Sequence, residues 1–208
     1  MSDSKKLPGV IFVMIGPGGA GKNAIMKALM AGNPAIRQLA TATTRKMRAD
    51  EAQGREHLFV SKRRFEQMIA AGELLEHQEV TPGKYYGIPR ASVAAGLAAG
   101  EIRIADIEVI GASILADAFA DNVVQIFVTA PGATLTEQLA VLQERMRERD
   151  DAFTDIEQRL RRARELELPY QSRCDYVVVN DCLAAAIERT RAIIQRELAG
   201  RQLAGAPK

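Results

Sequence analysis

Gly16-Pro17-Gly18-Gly19-Ala20-Gly21-Lys22-Asn23 follows directly on the apolar run Val10-Ile11-Phe12-Val13-Met14-Ile15. The octet reads G-x-x-x-x-G-K, a phosphate-binding loop, with Asn23 where the pattern expects Ser or Thr. Its glycines carry no Cβ, so the backbone can turn sharply and bring successive N–H groups close to phosphate oxygens. Ile25, Met26 and Leu29 then recur at helical spacing, so the loop opens a helix that directs its positive end at the anion. Lys22 adds a point charge for the β- and γ-phosphates of a nucleotide. A glycine-rich turn with a chance lysine would not be framed by a strand and a helix. The hydroxyl missing at Asn23 normally holds Mg2+, which leaves an amide oxygen to accept from a metal-bound water.

Working outward, the 208 residues are 47% hydrophobic, enough for one well-buried domain with room for mobile subdomains. A net charge of +2, from 28 basic and 26 acidic residues, gives no global field directed at nucleic acid or a membrane. Cys174 and Cys182 are expected to be free thiols in a reducing compartment. Met1 to Leu7 is polar and charged, the first apolar run is too short for a signal sequence, and no segment approaches a membrane span. The expected location is the cytoplasm.

Further apolar, β-branched runs lie at Ile102–Asp106, Val123–Val128 and Tyr176–Val179, nearly continuous, as parallel strands covered on both faces would be. Helical patterns sit between them at about 90–99, 109–119, 134–148, 155–168 and 183–199. This alternation predicts an α/β layered fold with right-handed crossovers. Two stretches break the rhythm. Residues 39–89 hold short strand candidates near 57–60, 74–80 and 84–87 and a helix near 62–71, which reads as an inserted subdomain. Arg145 to Arg164 is dense in arginine and acid; it is either a solvated helical pair with i,i+4 partners or a lid closing over phosphates.

The inserted segment carries Thr41-Ala42-Thr43-Thr44-Arg45-Lys46-Met47-Arg48, then Glu51, Gly54, Leu74-Leu75-Glu76, Tyr85-Tyr86-Gly87 and, further on, Asp106-Ile107-Glu108 with Gly111-Ala112. Two arginines three apart can form a fork around a phosphate dianion. Together with the phosphate loop, this spacing resembles the guanylate kinase family, from about Gly9 to Leu198. The resemblance implies a P-loop nucleoside monophosphate kinase fold: a parallel sheet core flanked by helices, an inserted mixed α/β acceptor subdomain and a helical lid. It implies a core at 8–40, 90–144 and 165–200, an acceptor segment at 41–89, a lid at 145–164 and a frayed tail at 201–208.

The resemblance also assigns roles. The whole octet from Gly16 to Asn23 would hold ATP with Mg2+, and Asn180, of the Asn180-Asp181 pair, would lie near the donor adenine. Arg45 and Arg48 would grip the phosphate of the acceptor GMP, with Glu51 holding the arginines and Tyr86 donating its hydroxyl. Thr41, His57, Asp106 and Glu108 would complete that side. Glu76 would accept from guanine N1–H and the exocyclic amine, an arrangement that repels adenine. Arg149 and Arg159 would join Lys22 and Arg45 in stabilising the transferring phosphoryl group, with Arg147 as the substitute in a lid one residue shorter than the family's.

Several positions depart from the family. Asn23 replaces Ser or Thr, His57 a phosphate-binding tyrosine, Thr41 a serine and Glu108 an aspartate. Ile88 stands where Ser or Thr contacts guanine O6. Two other functions fit the same fold: a kinase of another phosphorylated acceptor such as ribose 1,5-bisphosphate, or a guanylate-kinase-like binding module. The intact Lys22 and loop glycines favour catalysis, and Glu76 with Arg45 and Arg48 favours GMP.

Overall fold

The computed structural model describes residues 7–49, 51–81, 83–148 and 153–205. In chain order the elements are β1 (Val10–Ile15), α1 (Lys22–Gly32), β2 (Ile36–Gln38), β3 (Thr41–Thr43), β4 (His57–Phe59), α2 (Lys62–Ala70), β5 (Leu74–Thr81), β6 (Lys84–Pro89) and α3 (Arg90–Ala98). There follow β7 (Ile102–Asp106), α4 (Val109–Ala118), β8 (Val123–Thr129), α5 (Leu135–Arg147), α6 (Phe153–Arg162), α7 (Leu168–Tyr170), β9 (Tyr176–Val179) and α8 (Leu183–Gly205). The strands form a five-stranded parallel sheet in the order β2-β7-β1-β8-β9 and a four-stranded mixed sheet in the order β4-β3-β6-β5. Every residue of β1 and β8 is buried, as their unbroken apolar runs predict.

The chain divides into two compact units, Met1–Val13 with Pro34–Val124, and Met14–Asn33 with Gln125–Lys208. In the first unit β2 pairs with β7 in parallel, Ile36 opposite Ile102. The mixed sheet has its own core of Ala42, Phe65, Met68 and Leu74, with Leu58, Val60, Ile69 and Tyr85 packed against it. The inserted segment can therefore hold its shape with apolar contacts of its own. Ser61 starts α2 by accepting from the Arg64 N–H.

In the second unit β8 pairs with β9 in parallel, Ile126 opposite Tyr176. The capping box of Thr134 and Glu137 starts α5.

Three expectations from the sequence are corrected, and two strands it missed are added. β9 was expected to be covered on both faces; it is the edge of its sheet, and Val177 and Val179 are 45% and 39% exposed while Val178 is buried. β2 and β3 escape the sequence pattern because three residues each, Ile-Arg-Gln and Thr-Ala-Thr, are too few to show a period. The helix expected at 155–168 is α6, a π turn at Ala163–Glu167 and then α7, because Pro169 has no N–H to continue the regular ladder and the widened turn absorbs the loss. The last helix runs on to Gly205 rather than ending near 199, and residues 206–208 of the tail expected to fray lie outside the described residues.

Candidate active site

The phosphate loop belongs to the second unit, where it runs from β1 into α1. Gly21 caps α1 with φ 96°, and the helix start has neither a capping side chain nor an acidic residue in its first turn. The orphan N–H groups and the positive end of the helix dipole are thus left for an external anion. Two glycines are required by contact: a Cβ at Gly16 would lie 2.1 Å from the Val128 carbonyl oxygen, and one at Gly21 would lie 2.3 Å from Asn180 Nδ2. Gly19 lies against Leu142 and Met146 of α5, and Gly18 against the Arg159 stem of α6, which a Cβ on Gly18 would meet at 3.5 Å. Lys22 Nζ donates to the carbonyls of Gly16 at 2.6 Å and Pro17 at 3.3 Å. Ala20 is tied at both ends, its N–H to Pro17 and its carbonyl to Asn180 Nδ2 at 2.8 Å.

Asn23 is the second residue of α1 and is exposed. Among the described residues no group of three or more His, Cys, Asp or Glu could hold a metal ion. At the start of α1, Asn23 offers one neutral amide oxygen toward a metal. That suits an ion held chiefly by nucleotide phosphates and water.

In the first unit, sheet register brings a second group together. Thr41 lies opposite His57 across β3 and β4, and Thr43 opposite Tyr86 across β3 and β6. Arg45, just past β3, donates from Nε to the Tyr86 hydroxyl at 3.1 Å and from both terminal nitrogens to the Glu51 carboxylate. Its guanidinium lies 5.3 Å from the Phe59 ring centroid. The hydrogen bond from Arg45 is the largest cause that pulls the Glu51 carboxyl down to about 2. Arg48 is exposed and joins through its backbone, whose N–H donates to Glu51 at 2.8 Å. Thr41 Oγ1 and His57 Nδ1 are 2.8 Å apart. Burial first, and the Arg45 charge second, hold His57 below its ordinary range, so its ring is neutral at pH 7.

Glu76 lies on β5 where the pairing with β6 shifts register between Leu74 and His77, an irregularity of the kind that re-aims a side chain. The residue is 9% exposed. Burial, and after it the Glu108 carboxylate, push its carboxyl up to about 7. Gly111 of α4 makes room for it, since a Cβ there would lie 2.8 Å from Glu76 Oε1 and 2.9 Å from Ile107 Cγ2. Glu108 precedes α4 at its N-cap position, and Asp106 is exposed at the end of β7. Ile88 is 1% exposed, buried in the interior.

A helix start open to phosphate is one half of what a nucleotide phosphotransferase needs; a guanidinium–tyrosine group on the same sheet as a buried carboxylate is the other. The guanylate kinase family profile matches residues 9–197. The chain belongs to the guanylate kinase family. It is 40% identical over 190 residues to the guanylate kinase of Agrobacterium fabrum, covering 91% of this chain and 83% of that protein. With the guanylate kinase of Symbiobacterium thermophilum it shares 39% over 198 residues, 93% of this chain and 88% of the other. The crystal structure of guanylate kinase from Anaplasma phagocytophilum superposes with a TM-score of 0.67 at 26% identity, covering 93% of this chain and 88% of that one. The fold is accordingly that of the nucleoside monophosphate kinases, with a parallel core sheet and an added mixed sheet.

Among the guanylate kinase positions expected in the lid, Arg159 lies beside the loop, whereas Arg149 is outside the described residues. Arg147, the substitute, is 53% exposed and pairs with Glu144 at 3.6 Å on the surface of α5. Asn180 is 6% exposed and reaches the loop backbone. Two contacts of residues already noted in the sequence escaped its reading. Arg145 donates from Nη2 to the Asn180 carbonyl at 2.7 Å, and Gly111 abuts Glu76. Arg145 opens the arginine-rich run, but composition could not single it out from its neighbours. No pattern within α4 points from Gly111 to a carboxylate on β5. Among the described residues no helix is long and apolar enough to cross a membrane.

Proposed function

We infer that this chain transfers the γ-phosphoryl group of ATP to GMP, giving ADP and GDP. The observation that carries the acceptor is Glu76, a buried carboxylate raised further by Glu108. Burying that charge is costly unless donors come to it. Guanine N1–H and its exocyclic amine are two such donors side by side, and adenine offers an acceptor at N1 instead.

On this reading Arg45, held flat by Glu51 and Tyr86, takes the GMP phosphate with Arg48 and Tyr86. Thr41 and a neutral His57, which still carries one ring N–H, line the same phosphate, and Asp106 and Glu108 complete the acceptor side. The loop from Gly16 to Asn23 and the uncapped start of α1 hold the ATP phosphates, with Lys22 at the β- and γ-groups. A GMP phosphate oxygen attacks the γ-phosphorus as the bond to ADP breaks, so no covalent intermediate with the protein is needed. Arg159 and Arg149 offset charge on the transferring group. Asn23, through water, would help the ATP phosphates hold Mg2+, which would supply further charge neutralisation. A cytoplasmic setting accords with Cys174 and Cys182, both free thiols.

GMP-dependent release of ADP from ATP, with purified protein and Mg2+, tests the assignment. No release with GMP would overturn it. Release only with ribose 1,5-bisphosphate would move the acceptor, and GMP binding without ATP binding would point to a non-catalytic module.

A further inference from the structure

Asn180 follows β9 and is held or holds at three points within the second unit. Its backbone N–H donates to the Thr129 carbonyl at the end of β8, at 2.8 Å. Its carbonyl accepts from Arg145 Nη2 of α5 at 2.7 Å. Its side-chain amide donates to the Ala20 carbonyl of the phosphate loop at 2.8 Å, across 160 residues of sequence. The side chain is pressed so close to the loop that no residue with a Cβ fits at Gly21 without displacing it.

The peptide bond turns this contact into an aiming device. In a trans peptide the C=O of one residue and the N–H of the next point in opposite directions. With the Ala20 carbonyl turned to Asn180, the Gly21 N–H is turned away from it. Lys22 does the same for the Gly16 and Pro17 carbonyls, and the latter fixes the direction of the Gly18 N–H. The Gly16, Pro17 and Ala20 carbonyls are thus drawn to side-chain donors, and the Gly18 and Gly21 N–H groups are turned away from those donors, whereas the Ala20 N–H is taken by the Pro17 carbonyl.

We propose that Asn180 is a positioning residue for phosphoryl transfer, which aims the loop N–H groups and, through Arg145 on its own main chain, ties the loop to α5. The contacts of Leu142 and Met146 with Gly19 place the same helix on the loop directly. The joint is also unsaturated. Thr129 Oγ1 and Arg145 Nη1, on the two residues that hold the Asn180 main chain, are buried with no hydrogen-bond partner among the described residues.

The proposal rests on reading the loop as the ATP site, and its test is made on ATP binding without an acceptor. Calorimetry with ATP and Mg2+, and steady-state rates with ATP and GMP varied separately, are measured for Asn180→Ala, Asn180→Asp and Asn180→Ser. The Ala variant raises the ATP Kd and KM roughly tenfold and leaves the GMP KM within about twofold. The Asp variant keeps shape and volume but turns an acceptor toward the Ala20 carbonyl, so its loss exceeds that of Ala, roughly thirtyfold or more. Ser retains a donor and recovers part of the Ala loss. Arg145→Met weakens ATP binding in the wild type and does so at least about threefold less in the Asn180→Ala background.

Thermal denaturation of each variant separates loss of folding from loss of aim. An Asp variant no worse than Ala, a GMP KM that moves with the ATP KM, or Arg145 effects that multiply independently would overturn the proposal. Should Asp fail to fold, Ser no better than Ala overturns it equally. If the wild type shows no GMP-dependent ADP release, the acceptor assignment fails while the ATP-binding series still decides the role of Asn180.

Discussion

Replacing Glu76 by Gln should make the protein more stable and a poorer enzyme, and pH separates the two effects. The carboxyl titrates near 4.5 when unfolded and near 7 when folded. Between these values the folded state keeps a proton that the unfolded state has released, so this group's contribution to stability falls as pH rises from 4.5 to 7 and is level above. The full shift amounts to about 3 kcal/mol at pH 8 and only about 1 kcal/mol at pH 5.5. Gln is isosteric, uncharged and free of that penalty. Glu76→Gln should therefore gain about 3 kcal/mol at pH 8, roughly 6–12 °C in Tm for a chain of this size, and about a third of that at pH 5.5. Its amide N–H would meet the guanine amine donor to donor, so the GMP KM rises about 10- to 100-fold. Urea titrations of both proteins at pH 5.5 and 8, with initial rates at each pH, check the two halves. A stability gain that stays constant across that interval, or is absent, would refute the burial argument.

Three other outcomes follow from the geometry. Gly111→Ala places a methyl 2.8 Å from Glu76 Oε1 and should cost about 1–3 kcal/mol and raise the GMP KM while the ATP KM holds, as paired denaturation and kinetics would show. Arg45→Lys removes the two-pronged contact with Glu51 and the bond to Tyr86; GMP affinity, read by calorimetry, should drop by about 2 kcal/mol, or roughly thirtyfold. Asn23→Ser places a hydroxyl at the proposed Mg2+ position, so half-maximal Mg2+ in the ADP-release assay should fall about fivefold, and an unchanged value would mean the amide serves equally well.

Much of the fold was legible because it is written locally. The strand of Val10–Ile15, the loop glycines and the apolar face of α1 lie within one short stretch and announce each other. The β9 edge was not legible, because Val177 and Val179 look the same in sequence whether a neighbouring strand or solvent lies beside them. At the candidate site Arg45 and Arg48, three apart, pointed to a phosphate group, and the family resemblance added Thr41 and Glu51. They did not show that Glu51 would grip Arg45 by its side chain and Arg48 by its backbone. His57 read only as a replacement for a phosphate-binding tyrosine; that burial and the Arg45 charge hold it below its ordinary range was not visible in the sequence.

By itself the sequence determined that a strand, a phosphate loop and a helix begin this chain, and the spacing of its later motifs carried the resemblance to the guanylate kinase family. Steric freedom, helical period and motif spacing act over a few residues, so they can be read without a fold. Only the tertiary structure decided what holds those residues in place. Asn180 reaches Ala20 across 160 residues, Tyr86 reaches Arg45 across 41, and the Glu76 carboxyl rises to about 7. Hydrogen-bond partners and ionisation depend on what distant segments bring within a few ångströms and on how much water they exclude, and no local pattern encodes either.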